Sequence, residues 1–244
     1  MRVFVIAGSP YGQPPATLAP GPDDRVIAAD YGAHHARAWG WPLHQLVGDL
    51  DSLSPDEASA LRESGLPVLV APRAKDETDL ELALALALEL DPEEIVICAA
   101  LGGRTDHLLA NVLLLARPEL DGVRAAIADG PASVVLLRHV GLAAQWPTSG
   151  GQEERSRGEA QLELVGSAGD LLSLLPIGGD ATGVSTHGLA YPLRDETLHF
   201  GRARGVSNVF EESAVRVRLR AGMLLAVHTR TGAQVVGGVG INGG

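Results

Sequence analysis

The sequence contains one cysteine, Cys98, within the apolar run Ile95-Val96-Ile97-Cys98-Ala99-Ala100. No intrachain disulfide can therefore form, and the thiol reads as a core residue. No stretch reaches the roughly 18 apolar residues of a membrane-spanning helix. The apolar run after Met1 is too short for a secretory signal, which predicts a cytoplasmic protein. Basic residues are outnumbered, 19 against 30 acidic, for a net charge of −11 at pH 7. That sign disfavours nucleic acid, whose binding relies on attraction to phosphates, so neither nucleic acid nor membrane is an expected partner. Lysine is almost absent: Lys75 stands alone among arginines. Internal repeats are also lacking.

What remains is a globular composition, 45% hydrophobic and 20% charged over 244 residues, enough for one to two domains. Up to about residue 140, short apolar runs at 3–7, 26–29, 45–47, 68–71, 95–100 and 124–128 alternate with helical patterns, the signature of βαβ units and a parallel sheet. Ser54-Pro55-Asp56-Glu57 starts a helix over 55–64 that Gly65 stops. Leucine, alanine and glutamate make 80–90 helical, with Thr78 and Glu81 as a capping box and Asp91-Pro92 as the stop. A third helix spans 106–117, capped by Thr105 and ended by Pro118. Residues 141–160, with Pro147-Thr148-Ser149-Gly150-Gly151, carry no apolar period and read as a linker. Beyond them, strand-like runs at 161–165, 171–175, 197–200, 214–219 and 224–228 predict an all-β second domain over 161–244, with a glycine-rich tail.

Aspartates collect where predicted strands end: Asp30 after 26–29, then Asp49 and Asp51 after 45–47. Ligands of open α/β sheets bind at the carboxyl ends of the strands, so these acids converge on one crevice. Close carboxylates repel one another unless a cation intervenes, and hard oxygens suit Mg²⁺. In Gly48-Asp49-Leu50-Asp51-Ser52 the i, i+2 spacing puts both acids on one side of an extended chain, although an Asp-x-Asp also serves as a turn or cap. Lys75-Asp76-Glu77-Thr78-Asp79 adds the lone lysine, suited to a phosphate, and places Asp79 in a first helical turn, as dipole partner or ligand. Gly102-Gly103-Arg104-Thr105-Asp106-His107 joins a strand to a helix N-terminus, where N–H groups and a guanidinium favour phosphate. It lacks the ending of a Walker A loop and by itself also reads as a tight turn. His107 and Asn111, one turn on, are open between structural and site roles.

In this order, Gly48-Asp49-Leu50-Asp51-Ser52, Asp76-x-Thr78-Asp79 and Gly102-Gly103-Arg104-x-Asp106-His107-x-x-x-Asn111 resemble the thiamine pyrophosphokinase (thiamine diphosphokinase) family. The resemblance extends to Thr186-His187-Gly188-Leu189-Ala190-Tyr191-Pro192-Leu193 and Gly205-Val206-Ser207-Asn208, nearly the whole chain. It implies a Rossmann-like α/β nucleotide-binding domain over 1–140 followed by a thiamine-binding β-sandwich over 161–244. It also implies a homodimer whose thiamine pocket is completed across the interface, and Mg²⁺-dependent transfer of diphosphate from ATP to the thiamine hydroxyl, releasing AMP. Position by position, it implies that Asp49, Asp51 and Asp79 hold the metal, with Asp30 nearby. Lys75, Thr78, Arg104, Asp106, His107 and Asn111 would surround ATP, Arg104 offsetting charge on the transferred group. Ser207 and Asn208 would face thiamine, and Asp76 or Asp79, ahead of His107, would take the hydroxyl proton. One departure stands out: the family commonly has Asp-Gly-Gly-Ala where this chain has Asp30-Tyr31-Gly32-Ala33, so a side chain enters a position usually bare beside the nucleotide. Two other readings are a diphosphokinase of the same fold acting on another alcohol, such as a pterin, and a noncatalytic nucleotide- or thiamine-binding protein. The full set of acidic motifs favours catalysis.

Overall fold

Val3-Phe4-Val5-Ile6 is apolar at every position, which suits a strand covered on both faces. The structure, a computed structural model, describes residues 1–49, 63, 65–71, 76–139 and 159–232. In it β1 (Arg2–Ile6) lies inside a parallel array with β2 (Arg25–Ala29), β3 (Gln45–Gly48), β4 (Val68–Val70), β5 (Glu94–Cys98) and β6 (Arg124–Asp129). Their spatial order is β4-β3-β2-β1-β5-β6. Alternate residues of β1 face opposite ways. Val3 and Val5 join Leu80, Ala83, Leu84 and Ala87 of α2 (Asp79–Glu89) in one cluster, while Phe4 and Ile6 join Ala36 of α1 (Gly32–Trp39) in another. From β1 the chain steps outward through β2, β3 and β4 and then returns to β5 on the other side, so strand order reverses between β1 and β5. The connections leave a reversal of this kind in opposite directions, opening a crevice at the carboxyl ends.

The array does not end at β6. A hairpin through Gly130-Pro131 leads to β7 (Ala132–Arg138), and β14 (Met223–Thr229), β9 (Leu171–Pro176) and β12 (Asn208–Val209) then extend the same sheet in antiparallel fashion to ten strands. A second antiparallel sheet, in the order β11 (Glu196–Leu198), β10 (Ala181–His187), β13 (Ala214–Leu219), β8 (Ala160–Val165), packs on this extension. Leu162, Leu164, Val215 and Val217 meet Leu137, Leu172, Leu174 and Leu224 in one buried cluster. The chain is thus an α/β sheet and a β-sandwich, with the large sheet continuous from one into the other. Each fully buried Leu, Ile or Val in these layers contributes about 1.5–3 kcal/mol.

Several local expectations meet their elements. Thr78 caps α2, its Oγ1 accepting from Glu81 N at 3.2 Å. The helix expected over 106–117 is α3 (Thr105–Leu114), closed by a 3₁₀ turn at Pro118–Leu120. Its N-cap is Arg104 rather than Thr105, because the extended residue (φ −65°, ψ 126°) lies one position earlier. The helix expected over 55–64 falls outside the described residues save Glu63, as do most of 141–160 and the glycine tail. No described helix is long and apolar enough to cross a membrane.

One polar group lies deep in the antiparallel half. His228 Nε2 is 3.0 Å from Asp170 Oδ2 in full burial, with the imidazole stacked on Phe210 at 4.7 Å. Asp170 also accepts from Ser167 N and Thr231 N, both at 3.0 Å. Burial holds His228 below the usual histidine value. At Asp170 burial pushes upward, but the backbone N–H donors and His228 outweigh it and hold the carboxyl below its usual range. Both folded-state pKa values are depressed, so the unfolded chain binds more protons and stability rises with pH. Stability should therefore fall as pH drops below about 6.5 through the His228 value, and again below about 3.9. Urea unfolding at pH 7, 5 and 3.5 checks this, and His228→Gln should shrink the first loss, leaving the part that His44, also held below its usual value by burial, contributes, while keeping the second.

Candidate active site

The crevice predicted by the reversal of strand order holds a cavity of about 260 Å³. Its floor is Ala7-Gly8-Ser9-Pro10 after β1, with Ala29-Asp30-Tyr31 after β2, and the N-terminal turns of α2 and α3 close the sides. Two loops are stitched together there. Ser9 N donates to Ala99 O at 3.0 Å and Ser9 Oγ to Leu101 O at 3.1 Å. Gly102 and Gly103 carry positive φ, 105° and 69°, and a Cβ on Gly103 would come within 2.9 Å of Pro10 Cδ. Glycine is needed there for both conformation and room.

Asp129, at the end of β6, fixes the same loops from below. Its two oxygens accept from Gln13 N at 2.7 Å and Leu101 N at 2.9 Å. Burial raises its carboxyl above the usual range against those bonds. Nothing in the sequence analysis singles out Asp129, which carries no motif and stands only before Gly130.

Of the residues singled out by sequence, Asp30, Thr78, Asp79, Arg104, His107 and Asn111 line this cavity. Asn111 also ties α3 to the sheet, Nδ2 donating to Ala100 O at 3.0 Å. Asp106 lies on the solvent side, where Arg104 grips it through Nε at 3.2 Å and Nη2 at 2.6 Å. This fork holds the Asp106 carboxyl down to about 2. Asp76 is exposed and outside the wall. Asp51 and Lys75 fall outside the described residues. Asp49 follows β3 directly, and its neighbour Gly48 approaches Asp30 so closely that a Cβ on Gly48 would meet Asp30 Cβ at 3.1 Å. The ends of β2 and β3 thus run close together at Asp30 and Gly48, while Asp49 is not among the residues that line the cavity. Among the described residues no three His, Cys, Asp or Glu side chains gather at metal-holding range. The set is nonetheless all carboxylate oxygen, the donor chemistry of Mg²⁺, and the bare Cα of Gly48 is what lets the β3 end approach Asp30.

Ser207 and Asn208 are not brought to this cavity. They lie on the same edge of the large sheet, at β12, five strand positions from β5 and six from β1. At about 4.8 Å per strand that is roughly 24–29 Å. Asn208 clasps the neighbouring loop: Oδ1 accepts from Tyr191 N at 3.0 Å, and Nδ2 donates to Tyr191 O at 2.7 Å. Ser207 is exposed, in a left-handed turn (φ 59°), with its N–H bonded to Ser173 Oγ at 3.1 Å.

Comparison with known proteins shows the family. Family models described as "Thiamin pyrophosphokinase, catalytic domain" and "Thiamin pyrophosphokinase, vitamin B1 binding domain" match residues 22–127 and 159–224. The thiamine pyrophosphokinase of Bacillus subtilis is 25% identical over 185 residues, covering 76% of this chain and 78% of that protein. Thiamine pyrophosphokinase 1 of Oryza sativa subsp. japonica is 25% identical over 191 residues, covering 76% of this chain but 66% of the rice protein. Among solved structures, the Bacillus subtilis enzyme superposes with a TM-score of 0.79 at 22% identity, covering 95% of this chain and all of that one. A thiamin pyrophosphokinase family protein from Enterococcus faecalis gives 0.76 at 27% identity, with coverages of 94% and 99%. With both parts of one family matched in chain order over a shared fold, the chain belongs to the thiamine pyrophosphokinase family and is an enzyme of that class, a thiamine diphosphokinase.

Proposed function

We propose that the cavity between β1 and β5 is where diphosphate passes from ATP to the hydroxyl of thiamine, with Mg²⁺ as cofactor and a homodimer as the working unit. The observation that carries this reading is the convergence of Asp30, Asp79, Arg104 and Asn111 on one cavity at the reversal of strand order. Asp49, Asp51 and Asp79 would hold the metal, with Asp30 beside them. Bound Mg²⁺ supplies positive charge against the polyphosphate oxygens.

The chain's own residues do the rest. The N–H groups at the start of α3 and the Arg104 guanidinium receive phosphate oxygens, and Lys75 adds a second cation. Arg104 must leave Asp106 to do so, and the exposed pair costs little to open. The thiamine oxygen attacks the β-phosphorus in line, the bond to the α-phosphate oxygen breaks, and AMP departs with that electron pair. The hydroxyl proton passes to a carboxylate. Asp79 lies in the cavity wall and Asp76 outside it, which favours Asp79. Thr78, His107 and Asn111 shape the nucleotide side.

The distance from the cavity to Ser207 and Asn208 supports a second copy completing the site. So does α3, which buries none of its residues and leaves Leu109 and Leu113 more than half exposed beside the cavity. On the same face of the sheet, Leu175 and Val227 are only partly covered.

Formation of AMP from ATP with thiamine, a pterin alcohol and other alcohols, each with and without Mg²⁺, tests the reading. Turnover confined to thiamine and requiring Mg²⁺ is expected, and nucleotide binding without turnover would overturn it. A second test concerns Arg104. Arg104→Lys keeps the charge but loses the planar fork, so kcat/KM for ATP should fall about 10- to 100-fold, as expected for one charged hydrogen bond. Unchanged kinetics would make Arg104 a structural cap.

A further inference from the structure

Phe, Tyr and Trp are scarce, three of each in the whole chain, yet four of these nine stand in one column. Phe4 meets Trp41 edge-on at 5.3 Å, Trp41 meets Trp39 at 5.0 Å, Trp39 stacks on His35 at 5.3 Å, and His35 meets Tyr31 at 5.4 Å. His34, one turn along α1, braces the Tyr31 ring at 4.7 Å. The column is anchored below by His35, whose Nε2 lies 2.7 Å from Ser9 O in the cavity floor. Every member but the last is enclosed or half-enclosed; Tyr31 keeps 40% of its surface exposed and lines the cavity.

The local backbone puts it there. Asp30 turns left-handed (φ 45°) immediately before α1, so the next side chain leaves the strand end toward the crevice. Gly8, across the floor, leaves the room: a Cβ on Gly8 would come within 3.3 Å of Tyr31 Cβ. A rigid aromatic ring, backed by two imidazoles and open on its remaining side, offers a stacking surface to a planar heteroaromatic ligand at little cost in ordering.

We infer that Tyr31 is the stacking platform for the nucleobase of ATP, and thereby selects a base-bearing phosphate donor over a bare polyphosphate. The inference rests on the assignment of this cavity to ATP. The base is chosen over the rings of thiamine because Tyr31 shares its cavity with Arg104 and the α3 N-terminus, the groups assigned to the phosphates of the nucleotide.

Dissociation constants for AMP and for ribose 5-phosphate, which lacks the base, measured by calorimetry on the parent protein, Tyr31→Phe, Tyr31→Leu and Tyr31→Ala, test it. One base stacked on one aromatic ring predicts AMP binding weakened about 5- to 100-fold in Tyr31→Ala and Tyr31→Leu, retained in Tyr31→Phe, with ribose 5-phosphate unchanged throughout. Equal weakening of both ligands would overturn the inference in favour of a structural role. AMP unaffected and the KM for thiamine raised would instead assign the ring to the acceptor. A parent protein that binds neither ligand would overturn the ATP assignment itself, an outcome visible before any variant is made.

Discussion

Asp79→Asn is expected to lower turnover by at least about a hundredfold, the scale seen when one preorganised electrostatic partner of a transition state is removed. Two physical roles compete at this position, and they differ in what they predict. Asp79 is the first residue of α2, where a carboxylate also favours the helix dipole by about 0.3–1 kcal/mol. If that were its whole role, Asn would cost a little stability and no activity. If it faces the polyphosphate and its metal, Asn keeps shape and fold but loses the charge on which both depend. Glu81→Gln separates the two, because Glu81 lies in the same helical turn but pairs with Arg117 at 2.8 Å, away from the cavity. Its activity should be retained. Near-normal activity in Asp79→Asn with an unaltered Mg²⁺ requirement would remove Asp79 from the metal site.

The sequence made the parallel half legible because its signals are local. Val3-Phe4-Val5-Ile6 and Ile95-Val96-Ile97 each read as strands on their own residues, and Thr78 with Glu81 announces α2 within four positions. The continuation of the sheet was not legible, because β14 at residues 223–229 pairs with β7 at 132–138 across some ninety positions that no local pattern links. β10 escaped for a different reason. Ala181-Thr182-Gly183-Val184-Ser185-Thr186-His187 mixes small and polar residues and contains a break in register near Gly183. At the cavity, Asp30 and Asp79 stood out in the sequence by their positions, whereas Asp129 beneath the floor did not, and neither did Asp24 at the opposite, amino-terminal end of β1. Both act on backbone or a neighbouring strand: Asp129 on Gln13 and Leu101, Asp24 on Arg2 at 2.7 Å and Gly21 N at 2.8 Å. A carboxylate that organises main chain leaves no spacing to read.

Mixing two crippled proteins should restore activity. Ser207 and Asn208 lie roughly 24–29 Å along the sheet from the cavity, yet they share its edge, as the register from β6 through β7, β14 and β9 to β12 requires. A reacting hydroxyl must come within about 3–3.5 Å of phosphorus, so no side-chain rearrangement inside one chain bridges that gap. The proposed homodimer would, if its two-fold contact laid the β12 end of one copy over the α3 side of the other and so repeated the arrangement at the second site. Asp79→Asn chains should therefore lack the phosphate half, and Ser207→Ala/Asn208→Ala chains the acceptor half. After subunit exchange at equal amounts, half of the dimers are mixed and each holds one intact site, for about a quarter of parent activity. Tyr191 sits in the loop that Asn208 clasps, so the double variant's unfolding curve must first match the parent's, leaving the loss one of contact rather than of fold. No recovery despite exchange proven by mixed-mass dimers, or an active monodisperse monomer in light scattering, would place thiamine over its own chain's carboxylates and require Ser207 and Asn208 to serve the sandwich alone.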